Sequence, residues 1–121
     1  MDIVFCHCKD CKRVGGAPVA AFASFDVATI DIDTPSAQPV SHHPGVHRWF
    51  CAACGSPLAA TYDYLPGMIY VPVGVIDQAA RFRPTLHSHA DAQYPWLHVD
   101  DGLPRQSGSS RDVLVSRESC A

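Results

Sequence analysis

Residues 5–11, FCHCKDC, and residues 50–55, FCAACG, are the stretches that decide the fold of this chain. Together they hold five of the six cysteines, and each contains a C-x-x-C spacing. Thiolates at that spacing converge on one small volume, and zinc is the ion most commonly held there. The sequence therefore predicts a zinc-binding protein, with Zn²⁺ as its cofactor.

The spacing allows two groupings of the five cysteines. In the first, Cys8, Cys11, Cys51 and Cys54 enclose one tetrahedral structural zinc, and Cys6 packs as a small apolar side chain. In the second, Cys6, Cys8 and Cys11 form an open three-thiolate site, since residues i and i+2 of a strand point to the same side. An open site leaves a position for water or substrate, as a catalytic zinc requires. Cys51 and Cys54 then belong to another site. An iron–sulfur centre or a metal-free chain is the remaining alternative.

Length and composition predict a single zinc-binding β domain over residues 1–105, followed by a C-terminal tail over residues 106–121. The chain has 121 residues and a net charge of −3, with only two lysines and seven scattered arginines. Nucleic-acid binders usually carry a basic face, so we expect no nucleic-acid partner. No apolar run approaches the roughly 20 residues that cross a bilayer, and no signal peptide is visible, so we expect a cytoplasmic protein without a membrane partner. Cysteines in that compartment are metal ligands more often than disulfides.

The chain pattern is that of a mainly β protein with short antiparallel strands and little helix. Ten prolines and eight glycines divide it into short pieces that lack sustained helical periodicity. Strands are predicted at Ile3–Cys8, Val19–Phe25, Ala28–Asp33, His47–Cys51, Leu58–Tyr62 and Met68–Val71. Pro72 indicates an edge strand or a bulge. Single helical turns are predicted around Asp77–Ala80 and His89–Gln93.

Other side chains near the cysteines have a plain and a functional interpretation. We expect solvated charges at Lys9, Lys12 and Arg13, with carboxylate pairing as the alternative. His7 is expected to be a surface or hydrogen-bonded histidine and not a fourth ligand. A solvated loop is expected at the histidines before the second signature, with replacement of a zinc ligand as the alternative: His42, His43 and His47.

Arg48 and the large aromatic residues also lie near the signatures. Arg48 is a candidate to hydrogen-bond a cysteine sulfur or an acidic partner. Trp49, Phe50 and Trp96 are expected in the hydrophobic core, because aromatic side chains bury large apolar areas. Cys120 is expected to be a free thiol in the tail.

Both signatures, taken with their flanks, resemble those of a known family. Residues 5–18, FCHCKDCKRVGGAP, and residues 44–58, PGVHRWFCAACGSPL, are similar to the signatures of the glutathione-dependent formaldehyde-activating enzyme family, also called the centromere-protein-V-like family. Weaker marks follow in the family's order: Ile69 and Val71, Gly74-Val75-Ile76-Asp77, Pro84, His87, Trp96 and Leu103-Pro104. The resemblance covers residues 3–105.

The resemblance implies an Mss4-like, mainly β fold with two zinc sites. By analogy, Cys6, Cys8 and Cys11 hold the catalytic zinc, while Cys51 and Cys54 belong to a structural zinc. The family completes that structural site with a C-x-C pair on a strand ahead of the first signature, and the five residues before Cys6 contain no such pair. We therefore expect the structural zinc to be lost, to be completed by other ligands, or to give way to one four-thiolate site; a shortened start is the other alternative.

The missing strand also implies an exposed sheet edge, which a second copy of the chain or the tail would cover. A homodimer is thus a possible assembly. The activity that the resemblance implies is carbon–sulfur lyase chemistry, the formation or cleavage of S-hydroxymethylglutathione or a similar thiol–aldehyde adduct. The alternative function is a non-catalytic, zinc-stapled β module that binds a protein partner.

Overall fold

The computed structural model describes residues 2–30, 39–41 and 43–108, and in them the chain forms one six-stranded sheet. Its strands are Ile3–Cys6 (β1), Ala20–Asp26 (β2), Val46–Phe50 (β3), Pro57–Tyr62 (β4), Met68–Pro72 (β5) and Leu86–Ser88 (β6). Their order is β3-β4-β5-β2-β1-β6, with β1 and β6 parallel and the other neighbours antiparallel. One α-helix, Lys9–Gly15 (α1), and single 3-10 turns accompany the sheet: Val73–Val75, Ala79–Arg81 and Ala90–Ala92. The prediction of a mainly β fold with little helix is confirmed.

Five of the predicted strands are present as β1 to β5, with ends shifted by one or two residues. The prediction of a strand at Ala28–Asp33 is wrong in its described part. Ala28 and Thr29 lie in a turn, where their backbone N–H groups donate to the side chain and carbonyl of Asp26, each at 2.9 Å. An aspartate that bonds the backbone just after it favours a turn over a strand. Residues 31–33 lie outside the described residues.

Helix α1 was not predicted, because seven residues carry too little periodicity to be recognised. Two caps define it. Cys8 is the N-cap residue, in extended conformation, and its sulfur accepts a hydrogen bond from the Cys11 N–H at 3.3 Å. Gly16 ends the helix with φ of 63°, and its N–H bonds the carbonyl of Lys12. The chain therefore leaves strand conformation before Cys8, which corrects the predicted end of the first strand.

Two features of the sheet differ from the prediction. The three-residue strand β6 was not predicted; it pairs with β1, and its Leu86 lies opposite Val4, which is distant in sequence. The inference that Pro72 marks an edge or bulge is wrong, because β5 lies inside the sheet between β4 and β2. Pro72 is the last residue of β5, where a missing N–H interrupts the ladder least.

The outer strands β3 and β6 both carry additional chain. Val40 forms a two-hydrogen-bond bridge with Arg48 on β3, at 2.7 and 3.0 Å. On the other side, His87 of β6 donates to the carbonyl of Pro104 at 2.9 Å and accepts from the N–H of Gln106 at 2.8 Å. The segment after Pro104 thus follows the edge of the sheet. The domain boundary at residue 105 and the homodimer stay predictions, and residues 109–121 lie outside the described residues.

The core contains the first cysteine signature. Cys6 and Cys11 are buried together with Phe22, Leu65 and Tyr70 in one cluster. Two thiols therefore lie in apolar surroundings, which disfavour isolated charge.

The prediction that three aromatic side chains lie in the core is wrong for the third of them. Trp49 and Phe50 are only half-buried on the outer strand β3. Trp96 is 63% exposed and stacks on Tyr94, with ring centroids at 5.3 Å. It lies after β6, outside the strands of the sheet.

Candidate metal centre and adjoining cavity

Three thiols of the first signature meet at the junction of β1 and α1. Cys6 ends the strand, Cys8 caps the helix, and Cys11 lies in the first helical turn. Their sulfur atoms all lie within 4.8 Å of one another. In the part of the chain that the structure describes, this is the one group of three or more cysteine, histidine or acidic side chains arranged to hold a metal ion.

The three thiols share negative charge unequally. Hydrogen bonds from the thiols of Cys11 and Cys6 lower the pKa of Cys8 to about 2. Hydrogen bonding to Cys6 and Cys8, together with burial, raises the pKa of Cys11. At Cys6 the bond with Cys11 lowers the pKa, but the bond with Cys8 and burial outweigh it, raising the pKa to about 12. The protein alone thus holds one thiolate stabilised by two thiols.

The donor set fits zinc. Three sulfur ligands are the soft, anionic type that Zn²⁺ prefers, and a divalent cation favours ionisation of all three. The sulfurs lie in the wall of a cavity of about 370 Å³, so they are reachable from solvent on one side. A three-thiolate site beside a cavity has the arrangement in which a fourth position stays available.

Polar side chains from several elements line the same cavity. Arg48 of β3 lies over the ring of Tyr62, with its guanidinium carbon 5.7 Å from the centroid. Burial raises the pKa of both Tyr62 and Tyr64, so these phenols keep their protons and can donate hydrogen bonds. Asp10 and His43 contact each other at 3.3 Å on the cavity wall. Among the described residues Arg48 forms no ion pair, so its acidic partner is not found.

His89 was not recognised from the sequence as a cavity residue. It lines the cavity and precedes the 3-10 turn Ala90–Ala92. Its φ of 53° is the one positive value at a non-glycine position in the described chain. Side chains rarely adopt that conformation, although histidine does so more often than most. The backbone hydrogen bond from His89 to the carbonyl of Gly108 at 2.9 Å helps to hold it there.

A buried histidine pair supports the loop that carries the cysteines. His7, between Cys6 and Cys8, is fully buried, and its Nε2 lies 2.8 Å from Nδ1 of His87, which is also fully buried. His87 Nε2 lies 2.8 Å from Oδ2 of Asp101. Because a carboxylate only accepts, His87 Nε2–H donates to Asp101. In the tautomer of His87 with its proton on Nε2, Nδ1 is an acceptor, and His7 Nε2–H donates to it.

His7 is therefore a hydrogen-bonded core histidine, and the surface alternative is wrong. Burial lowers the pKa of His7 to about 4, so the ring is neutral. Its Nδ1 is buried without a hydrogen-bond partner among the described residues. No pattern in the sequence indicates this chain of bonds, because His87 and Asp101 reach His7 only through the pairing of β6 with β1.

The second signature forms a separate knuckle. Cys51 N–H and carbonyl bond Ser56 and Gly55, each at 2.8 Å, and the exposed Cys54 sulfur lies 3.2 Å from the Ser56 hydroxyl oxygen. The structure does not bring Cys51 and Cys54 to the first cluster, so one closed four-cysteine site is not the grouping it has. Within the described residues no third ligand joins them. Their role as ligands of a second zinc stays a prediction.

The histidines before the knuckle do not complete it. His43 lies beside Asp10 in the wall of the cavity at Cys6, Cys8 and Cys11, and His47 Nε2 lies 3.7 Å from a carboxylate oxygen of Asp63. His42 lies outside the described residues. None of the described histidines therefore groups with Cys51 and Cys54 as a substitute ligand.

The expectation of solvated charges on α1 is wrong for Lys12. Its side chain is 8% exposed, and its ammonium group donates to the carbonyl of Ala92 and lies 3.6 Å from the centroid of the Tyr94 ring. Lys9 and Arg13 are exposed, as expected.

The fold and the site together define a class: a mainly β protein whose three-cysteine cluster could hold a metal ion. The family model for the glutathione-dependent formaldehyde-activating enzyme matches residues 1–92, and the chain belongs to that family. The resemblance read from the sequence is thereby confirmed. A comparison with curated proteins gives no match. Among the described residues no helix has the length and apolar character to cross a membrane.

Proposed function

We infer that this protein is a zinc-dependent enzyme that forms or cleaves the carbon–sulfur bond of a thiol–aldehyde adduct, such as S-hydroxymethylglutathione. The observation that carries the proposal is the gathering of the Cys6, Cys8 and Cys11 sulfurs in the wall of a cavity. Family membership supports glutathione and formaldehyde as the class of substrate. The cytoplasmic location stays a prediction.

In this proposal Cys6, Cys8 and Cys11 hold the metal. When bound, zinc would lower the pKa of a thiol at its open position and polarise an aldehyde oxygen. Adduct formation makes a bond between the thiol sulfur and the aldehyde carbon, while the carbonyl oxygen gains the proton that the thiol loses. Cleavage is the reverse. For formation the site must accept the proton that leaves the sulfur and deliver one to the oxygen; for cleavage it must accept the hydroxyl proton and deliver one to the sulfur.

The cavity side chains suit that proton transfer and charge. Tyr62 and Tyr64 stay protonated phenols, because burial raises the pKa of each, and they can donate hydrogen bonds to an aldehyde or hydroxymethyl oxygen. Arg48 brings a permanent positive charge to the same wall, suited to an oxygen that becomes negative or to a substrate carboxylate. His89 is a candidate proton acceptor beside the cysteines.

The test is zinc content together with adduct exchange. Zinc in the pure protein is measured by elemental analysis, and formation of S-hydroxymethylglutathione is followed by NMR exchange between ¹³C-formaldehyde, glutathione and adduct. We expect exchange faster than the spontaneous reaction. The Cys6→Ser variant should lose zinc and exchange activity together, because oxygen is a poor replacement for a thiolate ligand.

Cys120→Ser is the matched control, since it makes the same atomic change outside both signatures. It should keep zinc and activity. An unchanged zinc content and exchange rate in Cys6→Ser would contradict the proposal. Zinc lost with no acceleration in the parent protein would favour the alternative, a non-catalytic zinc-stapled β module for a protein partner, over the enzyme.

A further inference from the structure

A second cavity lies on the face of α1 opposite the cysteine cluster. Its volume is about 510 Å³, and it shares no lining residue with the cysteine cavity. From α1 it is lined by Lys9, Lys12 and Arg13, which occupy one face at spacings of three and four residues. Cys11 projects from the other face, into the first cavity. We name the second cavity the basic groove.

The basic groove contains three positive side chains and no acidic one. Among the described residues no carboxylate lies within ion-pairing distance of Lys9, Lys12 or Arg13. The one acidic side chain of α1, Asp10, points to His43 in the other cavity. The protein as a whole has a net charge of −3, so this local excess of positive charge runs against the overall balance.

Lys12 makes the charge excess unusual. Its side chain is 8% exposed, and among the described residues its ammonium contacts two neutral groups, the Ala92 carbonyl and the Tyr94 ring. A buried ammonium without a counter-ion is unfavourable, and proteins rarely keep one unpaired. An anion in the groove would supply the missing charge.

The other walls suit a small ligand. Gly16 and Ala17 carry little or no side chain, and with Pro18 they form a wall without charge. Tyr94 is 40% exposed, with one contact to Lys12 and a stacking contact to Trp96 at 5.3 Å between centroids. The ring is therefore held in place beside the charges, as a flat surface for an apolar part of a ligand.

We propose that the basic groove is a second small-molecule site, which binds an anion through carboxylate or phosphate groups held by Lys9, Lys12 and Arg13. The guanidinium of Arg13 matches the paired oxygens of either group, and Lys9 adds a mobile point charge. No cysteine lines the basic groove, so this proposal goes beyond the proposed lyase function and is tested separately from it.

The experiment uses two probes, because carboxylate and phosphate have different sources. S-methylglutathione offers two carboxylates, and its methylated sulfur cannot ionise to a thiolate; inorganic pyrophosphate offers phosphate alone. Each is titrated into the zinc-loaded full chain while ¹⁵N–¹H NMR follows the amides. Saturable shifts in residues 9–17 and 92–94 support the site. Binding by one probe only identifies its group as the ligand chemistry, and binding by both identifies a general anion site.

The decisive variant is Lys9→Ala/Arg13→Ala, which removes two exposed charges and leaves the buried Lys12 in place. It should weaken binding about tenfold or more, since each charge-assisted bond contributes strongly to affinity. Arg81→Ala/Arg83→Ala removes two exposed charges elsewhere and should bind as the parent does. The proposal is overturned by no saturable shift with either probe, by shifts confined to the cysteine cavity, or by equal weakening in both double variants.

Discussion

Replacing His87 by alanine tests whether the buried histidine chain holds the cysteine loop. His87 is fully buried, and its ring bonds His7 and Asp101 at 2.8 Å each. Without it, the Nε2–H of His7 is buried without an acceptor, which costs about 1–3 kcal/mol. The lost stack on Phe5, with centroids at 4.8 Å, adds about 0.5–1.5 kcal/mol, and the emptied ring volume adds more. We expect a total loss of about 2–5 kcal/mol in the free energy of unfolding.

The assay is equilibrium unfolding in urea, followed by circular dichroism at one fixed free zinc concentration. With a slope of about 1.5 kcal/mol per M, the midpoint should fall by more than about 1 M. Thr85→Ala is the control, because Thr85 is exposed beside β6 and bonds the Ile3 carbonyl only at 3.4 Å; its loss should stay within about 0.5 kcal/mol. Asp101→Asn keeps an acceptor and should be milder than His87→Ala.

Refutation would be a His87→Ala midpoint no lower than that of Thr85→Ala. The chain of hydrogen bonds would then contribute little to the native state. A further consequence concerns the metal: because His7 joins Cys6 to Cys8, loosening it should also weaken zinc binding. Competition with a zinc-responsive chelator measures that affinity, and unchanged zinc affinity in a clearly destabilised variant would show that the histidines stabilise the sheet alone.

Three other expectations concern the cluster, the histidine and the helix end. Zinc binding should release about two protons near neutral pH, since the pKa of Cys6 and of Cys11 is raised in the metal-free protein; calorimetry in buffers of different ionisation enthalpy measures this, and zinc uptake without proton release would contradict it. His7, with its pKa lowered to about 4, should stay neutral at pH 5 in ¹⁵N NMR, while the unfolded chain takes up that proton below about pH 6.5. Stability should therefore fall as the pH drops from about 6.5 towards 4, and a protonated His7 ring at pH 5 would disprove this. Gly16→Ala should lose about 1 kcal/mol in thermal unfolding because Gly16 has φ of 63°, whereas helical Gly15→Ala should be neutral or stabilising; equal effects of the two would argue against the cap.

The cysteine cluster was predictable because its members are close in sequence. Cys6, Cys8 and Cys11 span six residues, so a strand end and one helical turn are enough to bring their sulfurs together. The strands β1 to β5 were predictable for a similar reason, since β-branched and aromatic residues recur between turn residues. The choice between the open three-cysteine and the closed four-cysteine grouping was not predictable, because it depends on how far the second knuckle lies from the first.

Long-range contacts decided most of the remaining site. Arg48, Tyr62 and His89 come from three different elements and meet only when the sheet has formed. The sequence predicts a solvated charge at Lys12, yet this side chain is buried because Tyr94 and Ala92 pack over α1.

The amino-acid sequence by itself determined two cysteine signatures of metal-ligand spacing, the mainly β character and the family, because each depends on residues that are neighbours along the chain. Tertiary structure alone decided that His7 joins His87 and Asp101, that the second knuckle stays apart, and that α1 carries a cavity on each face. The physical reason is that the histidine chain and the walls of the cavities follow from the pairing of β6 with β1 and the packing around α1, which join segments about 80 residues apart. The second knuckle lies between the paired strands β3 and β4, so the position of those strands in the sheet sets its distance from the first.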